Sequence, residues 1–177
     1  LKKTHQALFI LYCHRKTLVE CLTLTNLPFN LIDDQVKILS NTLKVKFVDH
    51  KLSQTTDSLN EALKNMKNED VLLTLPSSKD QIVCKNRVYK GYTDYLRALY
   101  PSNHIVMSFV APQFNVALLT DHIALKDIEK HLTPNIFLNR TLASIKNFLS
   151  IKPIKDVYIA GINPHCGEDG IISGYDS

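Results

Sequence analysis

The sequence predicts an α/β fold: a layered α/β/α arrangement around a mixed, mostly parallel sheet. Three observations predict it. Segments of strand-like and helix-like periodicity alternate along the 177 residues, which is the pattern of successive βαβ units. VLLTL (71–75) is a continuous apolar run stopped by Pro76, as in a strand covered on both faces. HIVMSFV (104–110) and FNVALLT (114–120) are separated only by Ala-Pro-Gln, a connection short enough for an antiparallel hairpin.

In chain order, ALFILYC (7–13) reads as a buried strand, and RKTLVECLTL (15–24) carries apolar residues at helical spacing until NLPFN stops it. VKFVDH (45–50) reads as a second strand. From Ser53 to Lys67, the residues Leu59, Ala62, Leu63 and Met66 share one stripe, which makes an amphipathic helix. The polar stretch SSKDQIVCKNRVYKG then leads into a short helix from Thr93 to Leu99, ended by Pro101. Beyond the hairpin, IALKDIEKHL (123–132) and NIFLNRTLASIKNFL (135–149) read as helices. Thr133 and Pro134 supply an N-cap and an N1 proline to the second of them. VYIAGI (157–162) is the last strand. There is no internal repeat and no low-complexity tract.

Charge and composition restrict the function. The 21 basic and 17 acidic residues give +4, spread along the chain with only local concentrations such as KNRVYK. Nucleic-acid binders gather Lys and Arg into a stripe with stacking aromatics, so no nucleic-acid partner is expected. A basic binding module is the reading from a different class. It would depend on Lys44, Lys46 and Lys51 and be steeply salt-sensitive. No apolar run approaches the roughly 20 residues of a membrane helix or has signal-peptide flanks, so no membrane association and a soluble, cytoplasmic location are expected. The four cysteines show no C-x-x-C spacing, which leaves reduced thiols as the default.

In open α/β sheets, ligands bind beyond the carboxyl ends of strands. VLLTL is followed by Pro-Ser-Ser-Lys, FNVALLT by Asp121-His122, and VYIAGI by Asn163-Pro164-His165. Lys79 is a candidate phosphate or carboxylate anchor, its alternative being a solvated loop lysine. Tyr92-Thr93-Asp94 after Gly91 forms a helix start, where backbone N–H groups favour an anion, unless Thr93 is simply a cap. Neutral imidazole is the commonest transition-metal ligand, and a catalytic ion takes about three protein ligands. His122 and His165 are candidates for two of them, against the alternative of surface or hydrogen-bonded loop histidines. His5, His14, His50, His104 and His131 read as ordinary. Four of the five glycines fall between Gly161 and Gly174, marking that segment for close backbone approach or positive φ.

VYIAGINPHCGEDGIISG resembles the Asn-Pro-His-Ala-Gly-Glu-x-Gly segment of the 4-hydroxythreonine-4-phosphate dehydrogenase family of vitamin B6 biosynthesis. In the same order, TLPSSK (74–79) resembles its Thr-x-Pro-x-x-Lys loop, GYTDYL (91–96) its Gly-His-Thr-Glu/Asp, and TDHIALKDI (120–128) its Thr-x-His-x-Pro-Leu. The opening FILYCHRKTLVECLTLTNLPFNLI is similar to the family's second strand, helix and following strand.

The resemblance implies an isocitrate/isopropylmalate-dehydrogenase-like fold and a homodimer with clefts built from both chains. It also implies a divalent ion (zinc, cobalt or magnesium) on three histidines, and NAD or NADP taking a hydride from a phosphorylated substrate that then loses carbon dioxide. Carried over by motif, His122 and His165 fall on two of the three metal ligands and Thr93 on a substrate-binding position, and Tyr92 and Lys79 are taken with Thr93 as substrate-binding candidates. No residue is assigned to the cofactor. Tyr92 stands where the family has histidine, and it keeps a hydrogen-bonding tip but no cationic form at neutral pH. Ala124 stands where the family has proline. The resemblance further implies that residues 1–177 are a partial dehydrogenase unit, without the family's N-terminal strand or the C-terminal portion that carries the third histidine. A diverged or truncated member without catalysis, or a dehydrogenase of another phosphorylated sugar acid, are the alternatives.

Overall fold

A computed structural model of the chain describes residues 8–49, 51–101 and 104–176, and only the backbone of Lys79, Pro164 and Asp176. The chain is mixed α/β and divides into two compact units, Leu1–Tyr95 and Leu96–Ser177.

In the first unit, β1 (Ile10–Cys13) runs into α1 (Arg15–Leu24), and β2 (Phe29–Ile32), β3 (Gln35–Ile38) and β4 (Asn41–Phe47) follow as a meander. The sheet order is β1-β4-β3-β2. β1 lies parallel to β4, with Ile10 opposite Lys44 and Cys13 opposite Phe47, and the other neighbours are antiparallel. Alternation explains the meander. Val36 and Val45 are buried, and Phe29, Leu31, Ile38, Leu43 and Phe47 pack around them, while Asn30, Lys37 and Thr42 stay exposed. Leu18 and Leu22 on α1 close this core.

The same unit continues with α2 (Gln54–Asn65). The Ser53 hydroxyl caps it by accepting from the Thr56 amide at 3.0 Å. The Asp57 carboxylate accepts the amides of Lys51 at 2.6 Å and Leu52 at 2.7 Å, which fixes the approach to the helix. Thr56 is fully buried. Its hydroxyl donates to the Gln81 carbonyl at 3.0 Å and accepts from the Val83 amide at 2.9 Å, tying α2 to the hairpin of β5 (Val83–Cys84) and β6 (Arg87–Val88). Lys85 and Asn86 form the hairpin turn, both at positive φ, the geometry that matches strand twist. Leu59, Ile82 and Tyr95 form a second core cluster, and the Tyr95 hydroxyl donates to Asn60 Oδ1 at 2.7 Å. Tyr95 belongs to α3 (Tyr92–Leu99), within which the division between the units falls.

The second unit holds the expected hairpin, β7 (Met107–Val110) antiparallel to β8 (Asn115–Leu118). A 3-10 turn (Leu125–Asp127), the one-turn helix α4 (Ile128–His131) and the long α5 (Pro134–Ile151) come next. The single helix expected over 123–132 is thus broken in two. The start of α5 is as expected, with Thr133 accepting from the Ile136 amide at 3.4 Å and Pro134 in the first turn.

Four expectations are corrected. VLLTL and VYIAGI form no strand. Val71, Leu73, Leu75, Val157, Tyr158 and Ile159 are exposed, and none is paired in a sheet. These were the runs expected to lie in a parallel sheet. Among the described residues one strand pair is therefore parallel and four are antiparallel, so the β-structure is mixed but not mostly parallel. The strand expected at 45–50 instead ends at Phe47 and begins at Asn41. No helix among the described residues is long and apolar enough to cross a membrane.

Candidate functional site

The first unit carries the candidate substrate residues. A cleft of about 660 Å³ is lined by Tyr12, His14, Thr17, Thr74, Ser77 and Tyr92, among others. Tyr92, at the start of α3, donates its hydroxyl to the Leu75 carbonyl at 3.0 Å and shares a hydrogen bond with the Ser77 hydroxyl at 3.0 Å. The loop after VLLTL and the N-terminus of α3, which the sequence singles out separately, therefore meet through one side chain. Thr93 follows, half-buried in the first turn. Asp94 occupies part of that N-terminus already. Its carboxylate accepts the Lys90 amide at 3.1 Å and lies 3.8 Å from Arg87, so an anion arriving there meets a resident negative charge. The backbone of Lys79 opens a 3-10 turn (Lys79–Gln81), and its side chain lies outside the described residues. Hydrogen bonding to Ser78 holds the exposed Asp80 carboxyl below its usual range.

The second unit carries the candidate metal residues. His122 and His165 are both exposed, and both take left-handed backbone, φ 54 and φ 51. His165 opens a run in which Cys166, Gly167, Glu168 and Asp169 are also left-handed. Only Gly167 adopts that conformation without steric cost; each L-residue bears about 1–2 kcal/mol. A cleft of about 1060 Å³ is lined by Phe114, Thr120, Thr141, Phe148, Tyr158 and Ile162, among others. Thr120 leads directly into Asp121-His122, and Ile162 into Asn163-Pro164-His165. The two segments are also tied further along, where the Ser173 hydroxyl donates to Glu129 Oε1 at 3.0 Å.

Sequence reasoning missed a bidentate ion pair in this unit. Arg97, near the end of α3, grips Asp121 with both arms of its guanidinium, Nη1 to Oδ1 at 2.6 Å and Nη2 to Oδ2 at 2.8 Å. The Asp121 side chain is only 8% exposed. Arg97 Nε also donates to the Ile105 carbonyl at 3.0 Å. The Arg97 hydrogen bonds hold the Asp121 carboxyl below its ordinary range against the opposing effect of burial. Arg140 on α5 donates to the Leu119 carbonyl, and burial lowers its guanidinium from the usual value. The one legible signal was Asp121 itself, an acid at the end of a strand with no assigned partner.

A catalytic divalent ion takes about three protein ligands, of which His122 and His165 would supply two. No group of three or more His, Cys, Asp or Glu side chains able to hold a metal occurs among the described residues.

The sequence matches the family described as "Pyridoxal phosphate biosynthetic protein PdxA" over residues 5–176. The 4-hydroxythreonine-4-phosphate dehydrogenase of Sulfurihydrogenibium sp. (strain YO3AOP1) is 28% identical over 181 residues, covering 93% of this chain and 56% of that protein. The enzyme of the same name from Shewanella frigidimarina (strain NCIMB 400) is 32% identical over 155 residues, covering 84% and 44%. That of Shewanella denitrificans (strain OS217 / ATCC BAA-1090 / DSM 15013) is 33% identical over 158 residues, covering 85% and 45%. The chain spans about half the length of the curated relatives it matches. No solved structure gives a significant match.

Proposed function

The chain belongs to the PdxA family of pyridoxal phosphate biosynthetic proteins, and from that premise we propose that it serves the oxidation, with decarboxylation, of 4-phosphohydroxy-L-threonine in pyridoxal 5'-phosphate biosynthesis. The observation that carries this reading is the family match over residues 5–176, which takes in every candidate side chain. NAD or NADP is the hydride acceptor, the protein acts as a homodimer, and its location is the cytoplasm. A divalent ion (zinc, cobalt or magnesium) supplies polarisation of the substrate hydroxyl and of the carbonyl formed from it.

The roles proposed for the chain's own residues are those of the family motifs they fall on or beside. His122 and His165, exposed imidazoles on the segments leaving the cleft of the second unit, hold the ion in part. Tyr92 contributes a neutral hydroxyl and keeps Ser77 and Leu75 in register with the start of α3. Thr93 presents a hydroxyl within the first helical turn, and Lys79 supplies positive charge toward the substrate phosphate.

The test is NAD(P) reduction by the phosphorylated substrate with added divalent metal, comparing the chain with His122→Ala and His165→Ala. Each substitution is expected to lower kcat/KM by on the order of 10³, the worth of several kcal/mol of lost charge stabilisation. Turnover unaffected by either change overturns the ligand roles, and absence of turnover in the unsubstituted chain favours a member without catalysis. Tyr92 favours a second reading, a dehydrogenase of another phosphorylated sugar acid, because its hydroxyl is already engaged by Leu75 and Ser77. On that reading, Tyr92→His shifts preference toward 4-phosphohydroxy-L-threonine across a substrate panel.

A further inference from the structure

Asp121 lies next to His122 in sequence and is nearly buried, yet it carries a charge. Burying a carboxylate is unfavourable unless it is paired and hydrogen-bonded, and Arg97 does both at 2.6 and 2.8 Å. Two helices thus hold the strand exit. From α3, Arg97 fixes residue 121 and, through Nε, the Ile105 carbonyl. From α5, Arg140 fixes the Leu119 carbonyl. Only Thr120 separates the two points of attachment, and the next residue is His122 in left-handed backbone at φ 54. Such a conformation in a residue with a Cβ persists where the surroundings over-determine it. His122 itself remains exposed, so the grip falls on the residues before it, through the Asp121 carboxylate and the Leu119 carbonyl.

We propose that Arg97, acting through Asp121, is a positioning residue for His122. A planar fork is needed for this. Arginine holds both carboxylate oxygens at once and so fixes the direction of the aspartate as well as its place, whereas lysine supplies a point charge about which the carboxylate turns. The metal-binding part of the inference rests on the reading of His122 as a ligand. The backbone part does not.

The experiment uses the full chain with Arg97→Lys, Asp121→Asn and His122→Ala, each checked for fold by circular dichroism. Amide hydrogen exchange over residues 119–123 is measured first. Arg97→Lys is expected to accelerate it about 10-fold or more while β7 and β8 exchange as before; unchanged exchange overturns the positioning role. Cobalt(II) is then titrated and followed by its visible absorption. Loss of an orienting partner of a ligand weakens affinity about 10- to 100-fold, so Arg97→Lys should fall between the unsubstituted chain and His122→Ala. Faster exchange with undiminished cobalt affinity, in a protein that loses cobalt on His122→Ala, overturns the link from loop to ligand. If His122→Ala binds cobalt as before, the ligand reading itself has failed, and the positioning of the backbone is decided by exchange alone. Should Arg97→Lys not fold, Asp121→Asn, which keeps the side-chain shape and one acceptor, takes its place in both measurements.

Discussion

Cys13 shows how a single side chain reports its surroundings. It ends β1, half-buried against the Leu18–Val45 core, and burial, with a smaller contribution from nearby Cys21, pushes its thiol up to about 11 from 9.0. The raised value means that the folded chain holds this proton more tightly than the unfolded chain. Its contribution to stability is therefore fully present below pH 9, the unfolded value, and is lost as pH rises through about 11. Cys13→Ala should consequently show a shallower fall in Tm between those two pH values than the unsubstituted chain. Thiolate is the reactive form, so at neutral pH iodoacetamide should label the exposed Cys21 and Cys166 well before Cys13. Equal labelling, or parallel Tm curves, contradicts the buried environment.

Elements are stabilised here by hydrogen bonds that cross between them, and Thr56 is the clearest case. Its hydroxyl serves the Gln81 carbonyl and the Val83 amide at once, both on the segment that α2 packs against. Thr56→Val keeps the shape but leaves the Val83 amide without the hydroxyl it donates to, while the Gln81 carbonyl still accepts from the Ser53 hydroxyl. The stranded amide costs about 1–3 kcal/mol; Thr56→Ser, which keeps the hydroxyl, should cost less in urea unfolding. Bonds of this kind mark the limit of what the sequence makes legible. The helices α1, α2, α3 and α5 were readable because their stripes, caps and stop signals are local, as with Ser53 at α2 and Thr133-Pro134 at α5. The β2–β3–β4 meander was not, although its residues alternate, because its turns are Asp33-Asp34 and Leu39-Ser40 instead of the Asn-Gly or Asp-Gly pairs that announce a hairpin. In the candidate site, the strand-end rule drew attention to Lys79, His122 and His165, and the helix start after Gly91 to Tyr92. The Tyr92–Leu75, Tyr92–Ser77 and Arg97–Asp121 contacts join positions distant in sequence, so no local period reveals them.

For the molecule as a whole, the decisive feature is apolar sequence that the fold leaves in water. VLLTL and VYIAGI have the composition of central strands, yet Val71 is 82% and Tyr158 90% exposed, and each segment borders a cleft of its own unit. Extended apolar segments outside any sheet can pair with another chain, and exposed apolar surface favours interaction or aggregation. Leu73→Lys and Ile159→Lys test this exposure directly. With both segments exposed as described, a lysine replaces a side chain already in water, so the free energy of urea unfolding should change by no more than about 0.5 kcal/mol, while light scattering should report less self-association. With the segments paired inside sheets, as their composition suggests, each lysine would place an unpaired charge in an apolar layer. The same measurement would then show a loss of several kcal/mol. A large loss at either position contradicts the exposure of that segment.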